Sequence, residues 1–261
     1  MHQRDCKTIT FIGAGNVATQ LATLFHESGC DIQQVFSRDI EKAQQLAKKV
    51  AAKGVNTLSD LHVNSDIYLL AVKDDAIEEI AHALNLANKI CVHTSGSVDM
   101  NALQGIAKNI GVFYPLQQFN INQPINPNRV PLLIEASNVE TLNSIENFAR
   151  LVFTDVQTVD STTRGKIHIA AVMVNNFMHH IAAKCRDYAS ENGFEFELLI
   201  PLMEETCRKM VSENLKETQT GPARRNDKKV LEKHQQAIED KHLRAIYKTI
   251  SESISDYYNA Q

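Results

Sequence analysis

At 261 residues the chain has room for one large domain or two modest ones. Its 43% apolar and 22% charged residues suit a soluble globular protein, and a net charge of −4 argues against general nucleic-acid binding, which needs a basic face. The five cysteines (Cys6, Cys30, Cys91, Cys185, Cys207) are scattered and never in C-x-x-C spacing, so they read as reduced thiols rather than a disulfide framework or metal site. The opening MHQRDCK has no apolar leader and no apolar run reaches membrane-spanning length, so a cytoplasmic protein is expected.

Thr8 to Ala18, TITFIGAGNVA, carries the strongest signal. Ile9, Phe11 and Ile12, with β-branched Thr8 and Thr10, predict a strand. Gly13-Ala14-Gly15 breaks it, and Asn16-Val17-Ala18 opens a helix through Leu21, Leu24 and Phe25. This is G-x-G-x-x-A between a strand and a helix. Gly13 makes the tight turn, Gly15 lets a pyrophosphate approach the backbone, and Ala18 lets helix and strand pack closely. The amide groups of the first helical turn would face the phosphates, so Gly13 to Val17 are predicted cofactor ligands.

Asp31 to Phe36 is the second strand, with Ser37-Arg38-Asp39 at its end. An NAD site usually places a carboxylate here for the ribose 2′-hydroxyl. A small hydroxyl, Ser37, followed by the guanidinium of Arg38 suits a 2′-phosphate, which favours NADP(H). Asp39 would take the acidic role if the strand ran longer. A helix is expected over Glu41 to Ala52, and a short strand over Asn56 to Leu58. Asp66 to Val72 is a nearly continuous apolar run, as in a strand buried on both faces, and Ala71, Val72 and Lys73 at its end should line the nicotinamide half. A helix from Ala76 to Leu86 and a strand from Lys89 to Thr94 follow. Thr94 and Ser95 are expected at the cofactor, Ser95 and Gly96 at the substrate, and Ser97 as the N-cap of a helix over Asp99 to Ala107. Strands at Asn109–Phe113, Pro131–Glu135 and Thr154–Val159, with a helix over Val139–Leu151, complete one parallel-sheet domain over residues 1–158.

From 159 to 261 helical spacing prevails, with helices over Thr162–Asn192, Glu195–Asn214, Arg225–Ile238 and Lys241–Tyr258. At about 100° per residue, His168, Val172, Asn175 and His179 share a stripe, with Asn176 beside it. His168 and Asn176 are the candidate catalytic pair, imidazole being suited to proton transfer near neutral pH. Asn175 and Arg225 are candidate substrate contacts, Arg225 standing with Arg224 in a turn where either can hold a carboxylate or phosphate.

FIGAGNVA at 11–18, Ser37-Arg38, LLAVKDDAI at 69–77, VHTSGS at 92–97, YPLQQF at 114–119, HIAAVMVNNF at 168–177 and TGPARRND at 220–227 together resemble one family. It comprises Rossmann-like NADP oxidoreductases with a C-terminal helical domain of unknown function, similar in plan to pyrroline-5-carboxylate reductase and the β-hydroxyacid dehydrogenases. The chain departs from the family pattern at Tyr114, where a His is usual, and at Asn226, where a Gly is usual; the dehydrogenase Lys-x-x-x-Asn motif is missing after Lys166. The resemblance implies a homodimer built on the helical domain. The expected protein is thus an α/β Rossmann-type doubly wound domain followed by an all-helical one. It would be an NADP(H)-dependent oxidoreductase acting on a small carbonyl or imine bound between the domains, with no metal and no membrane or nucleic-acid partner. The rival reading is an NADP(H)-binding redox sensor or docking protein without turnover.

Overall fold

A computed structural model describes residues 7–212 and 214–259; Cys6 and the opening MHQRDC lie outside them, as does Glu213. The chain forms two compact units, 1–176 and 177–261. In the first, eight strands form one sheet in the order β3-β2-β1-β4-β5-β6-β7-β8. They are β1 (Thr8–Ile12), β2 (Asp31–Phe36), β3 (Lys53–Val55), β4 (Ile67–Leu70), β5 (Ile90–His93), β6 (Asn109–Pro115), β7 (Leu132–Ala136) and β8 (Val156–Thr158). Helices α1 (Asn16–Glu27), α2 (Ile40–Lys49), α3 (Asp75–Ala83) and α4 (Val139–Ala149) belong to this sheet.

Alternate residues of the central strands enter two separate cores, because successive side chains point to opposite faces. Ile9, Phe11, Ile67, Leu69, Ile90 and Val92 pack on one side with α1, α2 and α4. There Phe25 stacks on Phe148 with ring centroids 4.1 Å apart. Ile12, Tyr68, Leu70 and Cys91 pack on the other with α3. Burial on both faces is what the apolar run at 67–70 predicts. The sheet is a doubly wound Rossmann-type sheet, but it is not wholly parallel. β7 runs antiparallel to β6, and β8 parallel to β7. A parallel neighbour needs a crossover, usually a helix, and between Pro115 and Leu132 the chain has only a 3-10 turn at Pro127–Arg129.

Two smaller expectations are corrected. The third strand is Lys53–Val55, not Asn56–Leu58, since Gly54 lies against the α2 backbone and carries the chain straight into the sheet beside β2. The helix expected over Asp99–Ala107 is only a 3-10 turn, Met100–Leu103, and its cap is Asp99, whose carboxylate accepts from the Asn101 amide at 2.8 Å. Ser97 instead donates its hydroxyl to Asp74.

Helix α5 (Ser161–Ala171) runs into a π-helical turn over Val172–Phe177 and on into α6 (Met178–Glu191). As far as Asn176 this helical run groups with the sheet. The second unit continues with α7 (Ile200–Ser212), α8 (Leu215–Thr218), α9 (Lys228–Ala237) and α10 (Lys241–Asn259). Asp227 caps α9 at the Val230 amide, and Lys184 bridges to Asp240 at 2.8 Å. Among the described residues no helix is long and apolar enough to cross a membrane.

Candidate functional site

The chain leaves β1, visits β2 and β3, and returns to the other side of β1 as β4. Ligands of such sheets bind at the carboxyl ends of the strands where this reversal occurs. There the structure opens a cleft of about 990 Å³. Its floor is the turn from β1 into α1. Gly13 has φ +120°, and a methyl group on it would overlap the Ala71 carbonyl oxygen. This turn therefore requires glycine for the fold itself. Gly15 differs. Its backbone is extended (φ −84°, ψ −170°), no side chain caps α1, and a methyl group on Gly15 would meet nothing within 4 Å. The protein itself leaves the space over Gly15 open, at an uncapped helix N-terminus of the kind that holds phosphate.

Ala14, Asn16, Val17, Ser37, Arg38, Ala71, Val72, Lys73 and Thr94 line the same cleft. Sequence reading missed part of its cationic end. Lys42, Gln45 and Lys49 of α2 lie on the lining with Arg38, at i, i+3 and i+7, the spacing that keeps one helix face. Asp39 is engaged with α2. Its carboxylate caps α2 at the Glu41 and Lys42 amides and pairs with the Lys42 ammonium at 3.2 Å. The Lys42 amide and ammonium hold that carboxyl below the usual carboxylate range.

Opposite α1 the segment after β6 forms a wall that was also missed. Gln20 donates to the carbonyls of Asn120 (2.7 Å) and Gln123 (3.0 Å), and Asn16 donates to that of Phe119 (3.0 Å). These bonds bring Ile121 and Asn122 onto the cleft lining. The Asn16 side chain is thus engaged with this wall, while its backbone opens α1.

Beyond Thr94 the residues divide. Ser95 is buried and is absent from the cleft lining; its hydroxyl accepts from the Ser97 and Val98 amides at 3.1 Å each. It closes the turn that follows β5. Gly96 is different: a methyl group there would lie 2.5 Å from His168 Nδ1 and 2.7 Å from Tyr114 Cζ. The Tyr114 hydroxyl meets Nδ1 at 3.0 Å, with the rings edge to face. Gly96, Tyr114 and His168 therefore form one contact group, two residues beyond the cleft residue Thr94.

Helix α5 is seated by Arg164, one turn before His168 and 1% exposed. Its guanidinium pairs with Glu135 of β7 and donates to the Val98 carbonyl and the Ser161 hydroxyl. Ser161 in turn donates to Glu135 at 2.7 Å and accepts from the Met100 amide at 3.1 Å. Spacing of four puts Arg164 and His168 on one helix face. His93 lies buried at the end of β5, held neutral: burial first, then the Arg164 charge, pushes its pKa down to about 4.

Asn175 and Asn176 lie in the π-helical turn. There the backbone spacing changes to i to i+5, and of the stripe drawn from His168, Val172 and Asn175 are half-buried like His168 while His179 is exposed. Asn175 donates to Asn176 at 3.5 Å, and neither hydrogen-bonds His168. Arg225 is exposed in the second unit, in the turn before α9. Its neighbour Arg224 stacks over the Tyr258 ring and donates to the Tyr258 carbonyl, so it serves packing of that unit.

Comparison with known proteins bears on this geometry. Residues 8–96 match a family described as NADP oxidoreductase coenzyme F420-dependent, and residues 130–254 match a domain of unknown function, DUF2520. No curated protein matches the chain. Among solved structures, a candidate NADP oxidoreductase from Bacteroides fragilis is 34% identical, over 96% of this chain and 98% of its own, with a TM-score of 0.89. An imine reductase from Myxococcus stipitatus in complex with NADP+ shares the fold at 16% identity (97% and 94% covered, TM-score 0.67). So does a pyrroline-5-carboxylate reductase from Coxiella burnetii at 20% identity (98% and 98% covered, TM-score 0.58). The chain belongs to the NADP oxidoreductase family in which a Rossmann-type domain is joined to a C-terminal DUF2520 domain.

Proposed function

We propose that the protein is an NADP(H)-dependent oxidoreductase that reduces a small carbonyl or imine, with His168 as proton donor. The observation that carries this reading is the open, uncapped turn at Gly15, set in a cleft whose far end gathers Arg38, Lys42 and Lys49. The α1 amides would hold a diphosphate. Ser37 and Arg38 would hold the 2′-phosphate, with Asp39 already committed to capping. Ala71 to Lys73 and Thr94 would lie along the nicotinamide half. Reduced nicotinamide supplies a hydride when bound; the protein positions it and excludes water. The F420 in the family description concerns a match to residues 8–96, the nucleotide-binding half, and so speaks less to the substrate.

His168 is the imidazole that stands beyond Thr94, beside Gly96. Asn176 and Asn175 remain proposed partners for the substrate heteroatom, and Arg225 a proposed substrate contact. The exposed apolar side chains Leu198, Leu202, Val211 and Leu215 of the helical unit favour a second copy of the chain as partner. Reductases of C=N bonds among the structural relatives make cyclic imines a first substrate class to try, beside keto acids and aldehydes.

His168→Ala should lower the turnover of NADPH with the best of these substrates at least about 100-fold, the usual size of general acid catalysis. NADPH affinity should stay within about twofold. Unchanged turnover removes His168 from the reaction. Arg38→Ala should weaken NADPH about tenfold or more and leave NADH affinity unchanged, since the lost interaction is with the 2′-phosphate alone. An NADP(H)-binding sensor without turnover would bind in the same way and oxidise NADPH with none of the three substrate classes.

A further inference from the structure

Tyr114 stands where the resemblance expects a histidine, and the reading above gives it no task. Its placement gives it one. The hydroxyl lies 3.0 Å from Nδ1 of His168, and the rings meet edge to face with centroids 5.8 Å apart. The absence of a side chain at Gly96 makes room for both rings. The hydrogen bond described for the His168 ring is at Nδ1, not Nε2. Turning the imidazole over would exchange Nδ1 for a carbon and leave the hydroxyl facing a C–H. Helix α5 cannot easily carry the ring elsewhere, because Arg164 is anchored to Glu135 and Val98 one turn away.

We propose that Tyr114 is a positioning residue: its hydroxyl holds Nδ1 of His168 in both charge states of the ring, and so assigns Nε2 to the substrate. This rests on the oxidoreductase reading for its purpose, but not for its geometry. A phenol hydroxyl is both donor and acceptor. It accepts Nδ1–H while the ring is imidazolium. In the proton-transfer step the Nε2–H bond breaks, its electron pair stays on Nε2, and the new bond forms on the substrate oxygen or nitrogen. The neutral ring keeps its place, with Nδ1 and the hydroxyl still bonded. Burial raises the Tyr114 pKa, with Asp74 adding to this and Arg164 opposing it, so the phenol remains protonated across neutral pH. Arg164 and Asp74 are the charged groups that act on Tyr114, and Glu135 is already paired with Arg164.

Tyr114→Phe keeps the ring and removes the hydroxyl. Without that acceptor the imidazolium form loses a charge-assisted bond. Activity that needs imidazolium is lost as pH rises through the ring's titration, so the falling limb of kcat against pH should move to lower pH by about one unit. At neutral pH kcat should fall about tenfold, with NADPH affinity unchanged. A proton NMR titration of His168 in the cofactor-free protein reads the same shift without any substrate. A midpoint displaced downward in Tyr114→Phe supports the proposal even if no substrate is turned over. An equal midpoint in both proteins overturns it, even if His168 proves catalytic. If Tyr114→Phe folds poorly, the wild-type protein decides: a ring nitrogen spectrum in which Nδ1 shows no hydrogen bond overturns the proposal.

Discussion

Gly15→Ala should abolish NADPH binding at the proposed site while leaving the folded protein as stable as before. The backbone at Gly15 is extended, which alanine adopts without strain, and the added methyl meets no protein atom within 4 Å. It enters only the space over the α1 amides. If a diphosphate rests there, the methyl holds it off, and a loss of at least about 100-fold in affinity, or about 2.7 kcal/mol, is expected. The melting temperature should change by no more than about 2 °C. Gly13→Ala is the counterpart. It forces alanine to φ +120° and drives its methyl into the Ala71 carbonyl. That costs about 3 kcal/mol of fold stability or more, a fall of roughly 10 °C in a chain of this size. Thermal unfolding and cofactor titration of the two variants separate a turn built for the fold from a gap kept for a ligand. If Gly15→Ala binds NADPH as the wild type does, the open space is not the phosphate site.

Arg164→Met should destabilise the sheet unit by about 3 kcal/mol, and the loss should be largely recovered in the Arg164→Met, Glu135→Leu double variant. Arg164 is among the largest fully buried side chains, and Glu135 is mostly buried beside it. Removing one member of a buried ion pair leaves the other charge without its partner, which costs more than the pair itself contributes. Replacing both with apolar groups of similar volume removes that penalty. Chemical denaturation of the two single variants and the double variant measures the coupling. A double variant as unstable as the sum of the singles means that Arg164 acts through packing rather than charge. Loss of His168-dependent activity in the stable double variant shows that the anchor also places α5.

Much of this arrangement was legible in the residues. Gly13 and Gly15 mark the turn, because a strand broken by glycines and followed at once by a helix predicts this βα turn. The apolar run 67–70 announces a strand buried on both faces. Ser37 and Arg38 lie on the same cleft lining as that turn. The antiparallel β7 was in principle readable too, since no helical period separates Pro115 from Leu132. Other features had no local signal. Arg164 looks like any helix arginine until Glu135 and Val98, 29 and 66 residues away in sequence, meet it. Tyr114 and His168 pair across 54 residues. The π-helical turn at Val172–Phe177 has no signal in the helical period, and the far end of the stripe, His179, is exposed. Ser97 is not the N-cap its position suggests, because a short hydroxyl satisfies whichever amide or carboxylate the turn brings near.

The measurement that tests the account most directly is a fluorescence titration of the purified protein with NADPH and, in parallel, NADH. The structure's cationic cleft end and the engagement of Asp39 as the cap of α2 predict that NADPH binds at least about tenfold tighter, a difference of about 1.4 kcal/mol. Equal or tighter binding of NADH contradicts the assignment of Ser37 and Arg38 to a 2′-phosphate, and failure of both to bind contradicts the cofactor site itself.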